Sequence, residues 1–191
     1  MSELLFSQDV SFILFSLFTT IFLGYTIYNV FNEYLFKITQ NQLTAHTAKA
    51  LVLNCMDFRL IDDMVYVMDK IGLNNNYDNI VLAGCSLHLT CCKHNDKKCN
   101  LTETFNNYFS KHLDLAKKLH DISKVIVVEH EECGAYKKIY DEDEYKKDME
   151  SYHKKNMKLF YDKYENKFKE LKLEVEFYMI DLKGKLKKII L

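Results

Sequence analysis

The chain has 191 residues, 48% of them hydrophobic, which is enough apolar material for one sizeable core and makes one domain the expectation. Its 26 Lys and Arg nearly cancel its 27 Asp and Glu, so no excess of positive charge argues for an electrostatic grip on nucleic acid. Thirteen Tyr and thirteen Phe, with no Pro, are a globular composition without fixed-φ breaks and not a disordered one.

No charged residue lies between Asp9 and Glu33, and Ser11 to Phe31 is dominated by Phe, Ile, Leu and Tyr. As a helix these residues rise about 31 Å, close to the roughly 30 Å of a bilayer's hydrocarbon core. A membrane anchor is the leading expectation. A helix packed on a partner is the alternative, because Ser16, Thr19, Thr20, Thr26 and Asn29 dilute the run. A cleaved signal peptide fits less well: the leading residues hold Glu3 and Asp9 but no Lys or Arg, and no small-x-small site follows. Acids before the segment and Lys37 and Lys49 after it lean toward a cytosolic C-terminal domain. The expected division is an anchor over residues 1–35 and one domain over 36–191.

Residues 34–49 read as a polar connector with room for a short helix. Ala50 to Asn54 is a short apolar run of the kind buried as a parallel strand, and Cys55 stands at its end. Leu60, Ile61, Met64, Val65, Val67, Met68 and Ile71 recur at helical spacing, and Gly72 stops the helix. Asn74 to Asn79 reads as a turn-rich loop before a second strand, Ile80 to Ala83, ending at Gly84. Cys85 to Asn100 loses periodicity, which predicts a loop carrying His88, Cys91, Cys92, His94 and Cys99. A helix is predicted over Thr104 to His120 and a strand over Val125 to Val128. Glu144 to Leu171 reads as one long charged helix whose stripe of Tyr145, Met149, Tyr152, Phe160, Tyr164, Phe168 and Leu171 is for packing. Glu174 to Ile180 reads as a further strand, followed by a turn through Gly184 and a basic, apolar tail.

The expected fold class is α/β: a mostly parallel sheet with flanking helices, plus the N-terminal hydrophobic helix. In such sheets functional residues gather at the carboxyl ends of the strands, where Cys55, Gly84 and His130 fall.

Six cysteines, at 55, 85, 91, 92, 99 and 133, permit three disulfides, but a chain of this length and apolar content does not need staples. Reduced thiols are the better reading. Cys55, Asp57 and Arg59 leave one strand end at alternating positions, and His130 and Cys133 leave another as His-x-x-Cys-Gly. Two thiolates and one imidazole are three good ligands for a tetrahedral Zn2+, and an open fourth position separates a catalytic site from a closed structural one. Asp57 is placed to accept a hydrogen bond at that open position and Arg59 to fix the carboxylate by a bidentate pair; a plain structural ion pair is the alternative. Cys91, Cys92, His94 and Cys99 fit common zinc spacings poorly, so free thiols are preferred there over a second metal.

This arrangement resembles the beta-class carbonic anhydrases. In that family a cysteine opening a Cys-x-Asp-x-Arg motif and a His-x-x-Cys pair hold the zinc, matching Cys55, Asp57, Arg59, His130 and Cys133 in order. The likeness covers residues 48–136, and more loosely the final strand and the Gly184 turn. It implies zinc held by Cys55, His130 and Cys133, an Asp57 and Arg59 dyad, reversible hydration of carbon dioxide, and a homodimer or higher oligomer. Ala83-Gly84-Cys85 stands where the family usually has Ala-Gly-Asn, so Cys85 to His88 mark a place where substrate or activity would change. The same scaffold supports carbon disulfide hydrolysis, which keeps a second small-molecule substrate in view. The rival expectation is a non-catalytic, membrane-attached zinc protein. His88 is the candidate proton shuttle.

Overall fold

The computed structural model describes the backbone of residues 2–41, 46–90 and 102–191, and the side chains at 12–33, 46–90 and 103–191. The chain divides into two compact units, Met1–Ala45 and His46–Leu191.

The first unit holds α1, Ser2–Asn41. Its Phe12–Glu33 stretch, with none of its residues buried, is long and apolar enough to cross a membrane. The threonine hydroxyls that dilute the run are satisfied within the helix: Thr19 and Thr20 donate to the Ser16 carbonyl at 2.9 and 2.8 Å, and Thr26 to that of Phe22 at 2.8 Å. The expected connector at 34–49 is corrected, because the helix runs on through Asn41. Residues 34–41 contain neither Gly nor Pro to stop it.

The second unit is built on five strands in the order β2-β1-β3-β4-β5. Strands β1 (Ala50–Asn54), β2 (Tyr77–Val81), β3 (Lys124–His130) and β4 (Glu174–Ile180) run parallel, and β5 (Leu186–Ile189) pairs antiparallel with β4. Between them lie α2 (Ile61–Lys70), α3 (Ser86–Thr90), α4 (Thr102–His120), α5 (Gly134–Ile139), α6 (Glu142–Lys147) and α7 (Met149–Glu170). Alternate strand residues face opposite sides. Leu51, Leu53, Val125, Val127 and Phe177 pack with Phe109 and Leu113 of α4 and Phe160 and Phe168 of α7. Ala50, Val52, Ile126, Val128 and Ile180 pack with Met64, Val67 and Met68 of α2. Burial on both faces is why Ala50 to Leu53 of β1 and Val125 to Val128 of β3 read as unbroken apolar runs. The α/β class with a mostly parallel sheet is therefore the observed one.

Several boundaries in this unit differ from expectation. Strand β2 starts at Tyr77, inside the expected loop, because the ladder with β1 pairs Ala50 to Tyr77 and continues to Asn54 with Val81. It is an edge strand, where the polar Asp78 and Asn79 are tolerated. Residues 86–90, expected as loop, form α3 with Leu87 and Leu89 buried; Cys91, Cys92, His94 and Cys99 lie outside the described residues. The single long helix is broken at Asp148, whose φ of −151° ends α6 and whose carboxylate accepts from the Ser151 N–H at 3.2 Å to cap α7. The basic tail forms β5 because Asp181 accepts from the N–H groups of Lys183 and Lys185, both at 2.8 Å, and Gly184 at φ +76° completes the turn.

Candidate metal centre

Strands β1 and β3 are parallel neighbours, so their carboxyl ends adjoin. Cys55 follows the last residue of β1, His130 is the last residue of β3, and Cys133 immediately precedes α5. The two Sγ atoms lie 3.9 Å apart, and a ring nitrogen of His130 joins them within 4.8 Å. Two sulfurs each about 2.3 Å from zinc in a tetrahedral arrangement stand about 3.8 Å apart, so the sulfur spacing suits that ion. His130 is only 1% exposed. Its Nδ1 bonds the Glu131 carbonyl at 2.7 Å, and as donor in that bond it leaves the lone pair of the neutral ring on Nε2. Nε2 is buried and has no hydrogen-bond partner, a deficit worth about 1–3 kcal/mol that a coordinated cation removes. The donor set, its spacing and the orphaned nitrogen all fit zinc.

The electrostatics agree. The Cys133 thiol beside it, then the Cys85 thiol, hold Cys55 far below the ordinary thiol range, with smaller help from His130 and the Gly84 N–H and against the effect of burial. Cys133 is pushed up in turn by its bond to Cys55 and by burial. Burial pulls the His130 imidazole down, but the neighbouring Cys55 sulfur and its charge outweigh it, and the net direction is up. A thiolate at Cys55 and an imidazole drawn toward its cationic form mark a place that favours positive charge.

Asp57 and Arg59 stand at the edge of this group. Arg59 grips the Asp57 carboxylate with both prongs, Nε to Oδ1 at 2.9 Å and Nη2 to Oδ2 at 2.7 Å, and its backbone N–H adds a bond to Oδ1 at 3.1 Å. The Arg59 bonds hold the carboxyl below its usual range, so it is ionised. Oδ2 lies 3.9 Å from His130 Nε2. The five residues singled out in the sequence thus meet in one place. His88 is engaged elsewhere: its Nδ1 bonds the Ala83 carbonyl and its ring packs edge-on against Phe105 at 5.4 Å.

Sequence reasoning missed a buried polar network behind the centre. Glu129, 0% exposed, accepts at Oε1 from the Ser86 N–H at 3.0 Å and from the Ser86 hydroxyl, and at Oε2 it meets His153 Nδ1 at 3.1 Å. His153 Nε2 bonds the Tyr145 hydroxyl at 2.8 Å. The signal available was an acid between an apolar strand and a metal ligand, and ending the strand at Val128 passed over it.

No protein-family model matches the sequence. The chain is 35% identical over 100 residues to an uncharacterized protein of Rickettsia bellii, covering 52% of this chain and 56% of that one. It is 36% identical over 94 residues to an uncharacterized protein of Rickettsia conorii, covering 49% and 46%. It therefore spans about half the length of the curated relatives it matches. Among solved structures it is similar to the beta-carbonic anhydrase CafA of Aspergillus fumigatus, at 12% identity over 83% of this chain and 86% of that one, with a TM-score of 0.42. It is also similar to the beta-carbonic anhydrase CcaA, at 14% identity over 83% and 87%, again with a TM-score of 0.42. The likeness is distant.

Proposed function

We propose that this chain is a zinc-dependent enzyme that reversibly hydrates carbon dioxide to bicarbonate, held at a membrane by α1 with its α/β unit on the cytosolic side. The observation that carries the reading is the ionised, Arg59-clamped Asp57 with Oδ2 only 3.9 Å from Nε2 of His130, itself grouped with Cys55 and Cys133. Cys55, His130 and Cys133 would hold the ion, whose contribution when bound is that of a Lewis acid that makes water nucleophilic near neutral pH.

The chain's own residues supply the rest. Glu131 fixes the His130 ring through its carbonyl. Asp57 offers an acceptor oxygen that orients water beside the donor group, and Arg59 keeps that carboxylate ionised and in one rotamer. Met56 and Phe58, exposed apolar neighbours of Asp57 in the chain, are compatible with a small uncharged electrophile. The Cys-x-Asp-x-Arg and His-x-x-Cys pairing, which resembles the beta-class carbonic anhydrases, supports the same reading. Met56, Phe58, Ile61, Val65 and Tyr66, exposed on the segment after β1 and along α2, support a homo-oligomer in which a second copy covers them.

One observation favours a second reading, a zinc site kept for folding. The buried Cys85 thiol adjoins Cys55, placing a third sulfur beside the donor set. Stopped-flow carbon dioxide hydration with the full-length, zinc-loaded protein in detergent separates the two. The enzyme reading expects a rate above buffer that rises with pH, and an Asp57→Asn variant that keeps its zinc while losing roughly 10- to 100-fold in rate. A zinc-loaded wild type with no hydration at any pH from about 6 to 9 overturns it, and carbon disulfide is then the next substrate to try.

A further inference from the structure

We infer that Glu129 and Ser86 are positioning residues for the metal centre: they clamp the turn at residues 83–86 so that the Gly84 N–H stays on the Cys55 sulfur. The inference rests on the metal reading above and concerns the ligand geometry alone.

The turn does not hold its shape by local preference. Gly84 at φ +67° is followed by Cys85 at φ +43°, and for a residue with a side chain the left-handed region costs about 1–2 kcal/mol. Such a conformation persists only where the surroundings over-determine it. Three anchors do so here. The Cys85 N–H donates to the Leu82 carbonyl at 3.1 Å, its thiol donates to the Val128 carbonyl at 3.1 Å, and Ser86 bonds Glu129 through both its N–H and its hydroxyl.

What the anchored turn delivers is one hydrogen bond, from the Gly84 N–H to Cys55 Sγ at 3.4 Å. A donor to a ligating sulfur orients it and tempers its charge, the means by which groups behind a metal ligand tune affinity. The placement of Glu129 explains how one strand serves both tasks. It directly precedes His130 on β3, and the pleat sends successive side chains to opposite faces, so the strand offers its ligand on one side and its clamp on the other. Its second oxygen is tied through His153 to Tyr145, which fastens the clamp to α7 and α6.

The test measures metal, not turnover, on the full-length protein in detergent. Zinc affinity is read by competition with a chromophoric chelator, and the sulfur-to-metal charge-transfer band is read on the cobalt-loaded protein. Glu129→Ala is expected to weaken zinc binding about 10- to 100-fold and to shift the cobalt band. Glu129→Gln keeps an acceptor oxygen for Ser86 and is expected to stay near wild type in both. Val67→Ala, a truncation in the α2 core, lowers thermal stability and should move neither readout. If Glu129→Ala does not fold, Ser86→Ala decides, since it removes the hydroxyl donor and keeps the backbone one: a weaker zinc site with a shifted band supports the clamp, and wild-type values overturn it. A wild type that binds zinc together with a folded Glu129→Ala of unchanged affinity and band overturns this inference alone. A wild type that binds no zinc overturns the metal reading and takes the clamp with it.

Discussion

Replacing Gly84 with alanine puts a number on how tightly the turn beneath Cys55 is held. A Cβ built there meets Ala135 Cβ at 2.9 Å and Leu87 Cδ2 at 3.3 Å, and the backbone sits at φ +67°. Leu87 can shift a rotamer, but Ala135 has none to shift, so the turn or the start of α5 must move. Left-handed strain of about 1–2 kcal/mol then adds to an overpacking cost of about 1–3 kcal/mol. Gly72 supplies the control: at φ +80° with no atom within 4 Å of its added Cβ, Gly72→Ala pays strain alone. The two variants should differ by about 1–3 kcal/mol, or roughly 3–9 °C in melting temperature at about 3 °C per kcal/mol. The melt is followed by near-UV circular dichroism of the tyrosines. A chelator is present throughout, so that ligand binding adds nothing to the measured stability. Equal losses from Gly84→Ala and Gly72→Ala would refute the close approach to Ala135, and with it the picture of a turn with no room to relax.

Elemental analysis of the reduced protein should find about one zinc per chain and find most of it gone in Cys133→Ser, because two of three ligands do not hold the ion; a metal-free wild type refutes the site. Full-length protein should stay with membranes through an alkaline carbonate wash while a chain beginning near Gln40 is soluble, and recovery of the full-length protein in the soluble fraction counts against the span. Burial pushes the Glu176 carboxyl up, but the Tyr178 hydroxyl at 2.8 Å and the Lys124 ammonium at 3.2 Å outweigh it and hold the group below its usual range. A depressed folded-state value means that the ionised carboxylate stabilises above the unfolded-state value near 4.3, and that this contribution fades as pH falls through the folded one. Glu176→Gln should therefore lower the melting temperature at pH 7 and converge on wild type in acid, and a deficit that persists undiminished at pH about 3 contradicts the pairing.

The sequence alone was enough for features whose cause is local. Strand β1 and helices α2 and α4 were legible because burial on two faces leaves a continuous apolar run and burial on one leaves a helical period, and β4 was legible because its residues alternate. Cys55, Asp57 and Arg59, and separately His130 and Cys133, were legible as two short motifs because thiol, carboxylate, guanidinium and imidazole at such close spacing are unusual company whatever the fold. The rest was decided in three dimensions. Tyr77 to Asn79 became strand because β1 offered a ladder to an edge, and Lys187 and Lys188 because β4 did. Ser86 and Glu129 stand 43 residues apart in the chain and Glu129 and His153 stand 24 apart. An acid in a strand, a serine after a glycine and a histidine in a charged helix carry no local pattern that joins them. Only the packing of α3 and α7 against β3 brings them together, where burial makes them satisfy one another's hydrogen bonds.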